Sequence, residues 1–190
     1  MTETGRPLDL FTLDRAETAL VLVDVQERLA VVMEERQQVL DNCRRLIEGA
    51  KILDLPVAVT EQYPKGLGPT EEELRGVLLS YEPFEKITFS CCGEPGFNSA
   101  LEALGRKKIL LAGMETHVCV LQTGLDLLRQ GYGVHLVRDA VCSRDEENRI
   151  TGLDLMRDAG AVITSTETVL FQLLGRAGTD EFKSISKLVK

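Results

Sequence analysis

Two stretches of this chain leave little freedom in how it can fold. Thr18-Ala-Leu-Val-Leu-Val-Asp24 and Lys108-Ile-Leu-Leu-Ala-Gly113 are almost unbroken apolar runs, rich in branched side chains and too short for helices of ordinary length. A strand that is apolar at successive positions has both faces covered, and that is the condition of a parallel sheet packed between helices. Abundant Leu, Val, Ile and Ala, few aromatics and no Trp fit such an interior.

The rest of the chain is consistent with this. From about Glu34 to Leu53 the apolar residues Val39, Cys43, Leu46, Ile47, Ala50 and Leu53 recur at helical spacing, and Pro56 stops that helix. Pro56–Thr60, Glu85–Phe89, Tyr132–Val137 and Ala161–Thr164 read as further strands. Helices are predicted from about His117 to Gln130, ended by Gly131, from Arg144 to Asp158, and after Thr164. Thr70-Glu-Glu-Glu73 has the capping-box pattern, and Cys91–Gly96 predicts a turn leading into a short helix through Leu104. The predicted fold is α/β: one doubly wound, Rossmann-like domain of about six mainly parallel strands with helices on both faces. Residues 1–190 carry no repeat or linker; 1–15 read as an N-terminal extension and 175–190 as a C-terminal tail or helix.

At 190 residues the chain can bury a core without disulfides. Its net charge of -8 disfavours nucleic acid and anionic membrane surfaces and points to a small-molecule partner. No apolar run reaches the ~20 residues of a membrane span, and Met1–Thr12 has neither the basic nor the apolar part of a signal peptide. The five cysteines, 43, 91, 92, 119 and 142, form no CxxC pair and have no histidine at metal-ligand spacing, so free thiols in a cytoplasmic protein are expected.

Ligands of open parallel sheets bind beyond the carboxyl ends of the strands. Asp24, the loop Glu61–Pro69, Lys86 with Phe89 and Ser90, and the segment Met114–Val118 all fall at such ends. Cys119, in the first turn of a helix, would have its thiolate favoured by the helix dipole and by a nearby Lys86, while Asp24 could accept the thiol proton. Gln26, Gln62, Tyr63, Phe89 and His117 are the expected walls of the substrate pocket. Taken singly, each residue also has an ordinary reading: Cys119 as packing, Asp24 as a turn-stabilising carboxylate, Lys86 as an edge-strand charge, His117 as a polar residue at a helix start.

Three segments in order, Leu20-Val-Leu-Val-Asp24-Val-Gln26, Glu85-Lys86-Ile-Thr-Phe89-Ser90 and Gly113-Met-Glu-Thr-His-Val-Cys119-Val120, resemble the isochorismatase-like cysteine hydrolases over nearly the whole chain. Thr60–Gly68 and the ending Phe182–Lys190 look most like the isochorismatase domain-containing group. The resemblance implies a triad of Asp24, Lys86 and Cys119. It also implies a cis peptide between Met114 and Glu115, with the Glu115 and Cys119 amides directed at an oxyanion. Relatives that bind metal carry histidines after the second strand, and here both histidines come much later, so no metal and no cofactor are expected. The expected activity is hydrolysis of a small amide or carbamoyl C–N bond through a Cys119 thioester, in a homo-oligomer. The alternatives are a thiol-redox or metabolite-binding protein on the same fold, or a vinyl-ether hydrolase of the isochorismatase type.

Overall fold

The computed structural model describes residues 7–190. After short 3-10 turns at Leu8–Phe11 and Arg15–Glu17, β1 (Thr18–Val23) enters the core. It is followed by α1 (Glu27–Ala30), α2 (Arg36–Ile52), β2 (Val57–Gln62), α3 (Pro64–Leu67), α4 (Glu72–Arg75) and β3 (Phe84–Lys86). Next come α5 (Pro95–Ala103), β4 (Lys108–Met114), α6 (Leu121–Arg129), β5 (Gly133–Cys142), α7 (Glu146–Asp158), β6 (Val162–Thr164), α8 (Thr166–Leu174) and α9 (Asp180–Leu188). The six strands pair in the order β3-β2-β1-β4-β5-β6, all parallel. Order therefore reverses between β1 and β4, where an open α/β sheet offers a crevice.

Every residue of β1 is buried because both faces of the sheet are covered. On one side Leu20 and Leu22 pack against α2, α8 and α9 through residues such as Leu40, Leu46, Leu170 and Ile185; on the other, Ala19, Val21 and Val23 meet α5, α6 and α7 through Phe97, Leu127 and Met156. The C-terminal segment is thus part of the packed layer: Ile185 is fully buried and Arg45 Nε donates to Leu188 O at 2.9 Å. Of the expected 1–15 extension, residues 1–6 lie outside the described residues, while Lys108 Nζ bonds the carbonyls of Asp9 and Thr12 at 3.0 and 2.8 Å. Among the described residues no helix is long and apolar enough to cross a membrane.

Three local expectations are corrected. Thr70 does not cap α4: its amide and hydroxyl both donate to Glu61 Oε1, at 2.6 and 2.8 Å, leaving at the cap position Glu71, whose side chain pairs with Arg36 and makes no capping bond. A buried carboxylate is a stronger acceptor for these donors than the pattern's own glutamate. The third strand stops at Lys86, not Phe89, because the chain turns to bring the carbonyls of Thr88 and Phe89 over the Lys86 ammonium. The fifth strand runs on to Cys142, and its register against β4 breaks between Leu111↔Leu136 and Gly113↔Val141. The extra residues bring Asp139 to the start of α8, where Oδ1 accepts from the Thr166 amide at 2.9 Å.

Gly113 sets how closely β1 and β4 approach at their carboxyl ends. It has φ +125°, and a Cβ there would stand 2.0 Å from the Val23 carbonyl oxygen, so no other residue fits without moving a strand.

Candidate active site

Beyond Val23 the chain leaves β1 through Asp24, whose φ of +52° lies in the left-handed region that aspartate tolerates better than most residues. Its carboxylate is fully buried, and each oxygen has a donor: Oδ2 accepts from Lys86 Nζ at 2.6 Å and Oδ1 from Thr60 Oγ1 at 2.7 Å. Lys86, the last residue of β3, also directs Nζ at Gln62 Oε1 (2.7 Å), Phe89 O (3.0 Å) and Thr88 O (3.3 Å). Oxygens on every side require an ammonium, and an ammonium 2.6 Å from a buried carboxyl requires that carboxyl to be ionised. Burial works against the Lys86 charge, but Asp24, and to a lesser degree Cys91 and Cys119, hold its pKa above the ordinary lysine value. Burial pushes the Asp24 carboxyl up, opposed by Lys86, Thr60 and Cys119.

Cys119 lies in a π-helical turn, Thr116–Val120, that precedes α6, and not in an ordinary first α-helical turn. Such turns are rare and concentrate at functional sites. Gly152 of α7 packs directly against this turn, since a Cβ on it would stand 2.9 Å from the Thr116 carbonyl. The thiol lies close enough to the Asp24 carboxylate for each to shift the other's pKa, and it is only 5 % exposed. Its pKa is raised, first by burial and then by the Asp24 carboxylate, with Lys86 opposing. This runs against the expectation of a stabilised thiolate: Lys86 is already neutralised by Asp24, so burial and the carboxylate favour a neutral Cys119 thiol.

The peptide between Met114 and Glu115 is cis. The Glu115 side chain turns away to accept from the Arg144 amide and Nε, at 3.0 and 3.1 Å. Gln26, expected in the pocket wall, is fully buried; its amide nitrogen bonds Gln62 O (3.1 Å) and Gly68 O (2.6 Å), and its oxygen accepts from the Gln62 amide (2.8 Å). It pins the loop after β2 and leaves nothing for a ligand. Gln62 likewise has its side chain taken, by Lys86 and by Ile87 O at 2.8 Å. Tyr63 and Phe89 stand at the surface near the site, 52 % and 54 % exposed. His117 Nδ1 pairs with Ser143 Oγ at 3.0 Å.

A cavity of about 360 Å³ lies at the other end of the sheet, between the end of α2, the start of β2 and Arg106. Another, of about 310 Å³, lies along the edge of β3 between Tyr63, Lys65, Ile87 and Glu94. Among the described residues no group of three or more His, Cys, Asp or Glu side chains is arranged to hold a metal ion. Sequence reasoning passed over Thr60 and gave Cys91 no role at the site. The register that sets Thr60 level with Val23 contains the signal, but it becomes readable only once β2 is known to pair with β1.

The isochorismatase domain, as a sequence family, matches residues 18–168. The chain belongs to the isochorismatase family. Among curated family members, the secreted isochorismatase effector Isc1 of Phytophthora sojae (strain P6497) is 43 % identical over 177 residues, covering 91 % of this chain and 84 % of its own. The solved structure of MAR1 ribonuclease from Caenorhabditis elegans superimposes with a TM-score of 0.88 at 39 % identity, covering 94 % of this chain and 92 % of that one. The YcaC product of Escherichia coli, described as an octameric hydrolase of unknown specificity, gives 0.87 at 26 % identity, covering 93 % and 90 %. With the family come the six-stranded parallel fold and a hydrolase setting.

Proposed function

We propose that this isochorismatase-family chain is a metal-independent cysteine hydrolase that cleaves a C–N bond of a small amide or carbamoyl compound through a thioester on Cys119. The observation that carries the reading is the fully buried Lys86–Asp24 pair, 2.6 Å apart, with the buried Cys119 thiol close enough to feel the same carboxylate. A buried base beside a neutral thiol and held ionised by a cation is an arrangement suited to general-base activation of sulfur.

In the proposed cycle Asp24 takes the Cys119 proton as Sγ bonds to the carbonyl carbon. The amides of Glu115 and Cys119 receive the oxyanion; one such donor contributes about 3 kcal/mol in other hydrolases. The tetrahedral adduct collapses as Asp24 returns the proton to the leaving nitrogen, which departs as the amine and leaves a thioester. Asp24 then removes a proton from water as it adds to the thioester carbonyl, and returns that proton to sulfur as the acid is released. Lys86 remains an ammonium throughout and keeps the carboxylate in place.

Vinyl-ether hydrolysis would make no use of a thiol beside the base, and a constitutive redox thiol would not be held protonated, so Cys119 favours the amide reading over both. The ribonuclease name belongs to the C. elegans relative; on this chain a charge of -8 opposes a polyanionic substrate. A homo-oligomer is proposed by analogy with the octameric E. coli relative, and a cytoplasmic site from the five free thiols, although the Phytophthora relative is described as secreted.

The test is a turnover screen of small amides, carbamoyl compounds and ureides, with p-nitrophenyl acetate as a generic acyl donor and intact-mass detection of the acyl-enzyme. A trapped adduct on Cys119 and no turnover by Cys119→Ala are expected. Undiminished turnover by Cys119→Ala would overturn the reading.

A further inference from the structure

Between the buried base and the second layer of the site runs a chain of hydrogen bonds that the mechanism above does not use. Thr60 Oγ1 donates to Asp24 Oδ1 at 2.7 Å. The same oxygen accepts from Cys91 Sγ at 3.6 Å, a normal length for a thiol donor. Cys91 is itself held, its amide accepted by Thr123 Oγ1 at 3.0 Å. Thr60 is fully buried and Cys91 1 % exposed, so water does not compete at either position.

A hydroxyl has one proton and can direct it to either of two neighbours. With one of its two lone pairs occupied by the Cys91 S–H, Thr60 directs its proton to the carboxylate. Lys86 holds Oδ2, Thr60 holds Oδ1, and the carboxylate plane is thereby fixed with one lone pair left on each oxygen. We propose that Thr60, its rotor set by Cys91, is a positioning residue that aims the Asp24 carboxylate at the Cys119 thiol and keeps it ionised. This inference rests on the assignment of Asp24 as the base.

The groups facing Asp24 come from four elements: Thr60 from β2, Lys86 from β3, Cys91 from the turn before α5 and Cys119 from the π-helical turn. Of these, Thr60 and Lys86 donate to the ionised form, so removing the Thr60 donor makes the carboxylate easier to protonate. A hydrogen bond to a charged acceptor is strong enough that its loss changes an equilibrium by about tenfold or more.

The experiment uses the full chain and p-nitrophenyl acetate, following the acylation rate of Cys119 against pH. For Thr60→Val, which keeps the shape and loses the donor, a drop of about ten- to a hundredfold is expected at neutral pH with little change in half-saturating probe concentration. Its acid limb should move up by about one pH unit. Thr60→Ser should restore the acid limb, and Cys91→Ala should lose only about two- to fivefold, because the hydroxyl is freed and not removed. An acid limb that stays in place while Thr60→Val loses rate in step with its melting temperature would reduce Thr60 to packing and overturn the proposal. Asp24→Asn, followed through hydrolysis of the acetyl-enzyme, separates the two readings. If it deacylates as fast as wild type, the base assignment fails; if it is slow and Thr60→Val is unaffected, only the positioning role fails.

Discussion

The two ends of the sheet use charge in opposite ways. At the amino end, Arg15 and Glu181 pair at 2.9 Å with side chains 34 % and 41 % exposed, Lys108 lies 3.8 Å from a half-exposed Glu17, and Arg106 bonds the carbonyls of Arg15 and Ala16. At the carboxyl end, Lys86 and Asp24 pair with no exposure at all, and Glu61 and Glu115 are buried nearby in the strand-end segments. A cavity of about 360 Å³ belongs to the amino end and one of about 310 Å³, lined by Tyr63 and Lys86, to the carboxyl end, so open volume does not separate the two. What marks the end that holds the candidate site is desolvated charge. An isolated buried ion is costly and persists only when geometry supplies its partners.

The comparison would break most visibly at Lys86. Lys86→Met leaves Asp24 buried without its cation, and a loss of about 3 to 5 kcal/mol in urea unfolding is expected together with loss of acyl transfer. The Lys86 pKa is raised in the fold, so its contribution to stability is complete below about pH 10.4 and is lost as pH rises through the folded value. Wild type should therefore show an alkaline step in stability that the variant lacks. A variant as stable as wild type would mean that the pair is not desolvated.

Asp24→Asn should move two readouts in opposite directions. Burial first and the Asp24 carboxylate second hold the Cys119 thiol protonated, so removing the carboxylate leaves Lys86 free to favour the thiolate. Iodoacetamide labelling of Cys119 near pH 8 should speed up while turnover falls by about two to four orders of magnitude. Peptide mapping distinguishes Cys119 from Cys91 and Cys92, whose pKa values burial pushes to about 11 and about 12. Labelling and turnover that fall together would show that Asp24 organises the thiol and does not act as its base.

The smallest effect belongs to the amino end. Glu181→Gln removes a solvent-exposed partner of Arg15 while leaving the bond from Arg15 Nε to Leu173 O at 2.8 Å. The melting temperature should shift by no more than about 2 °C, with acyl transfer unchanged. A larger shift would show that charge at this end is structural as well.

The strands were legible where burial is two-sided: β1 and β4 announce themselves as continuous apolar runs, and Asp24, Lys86 and Cys119 follow from their strand-end positions and the three-segment resemblance. The sequence was silent where a tertiary partner decides. Thr70 caps nothing because Glu61, nine residues away, claims both its donors. The thiolate expectation gave way for a related reason: the sequence groups Lys86 with Asp24, but that the carboxylate takes up the ammonium so closely, at 2.6 Å and away from water, is fixed only by folding. Gln26 and Gln62 looked like pocket residues from their places at strand ends, but the loop carbonyls that saturate them are a matter of backbone path.

The three residues of β3 have a strand neighbour on one side only, a poor anchorage for a residue on which the site depends. An edge strand this short ordinarily frays, opening and closing far more often than the centre of its sheet. Here, fraying would pull the ammonium out and strand a bare carboxylate in an apolar interior. Each opening is thus taxed electrostatically, and the site latches the strand as much as the strand carries the site. The outermost strand should then protect its amides from hydrogen exchange nearly as well as a central one, with that protection switched off by a single proton on Asp24.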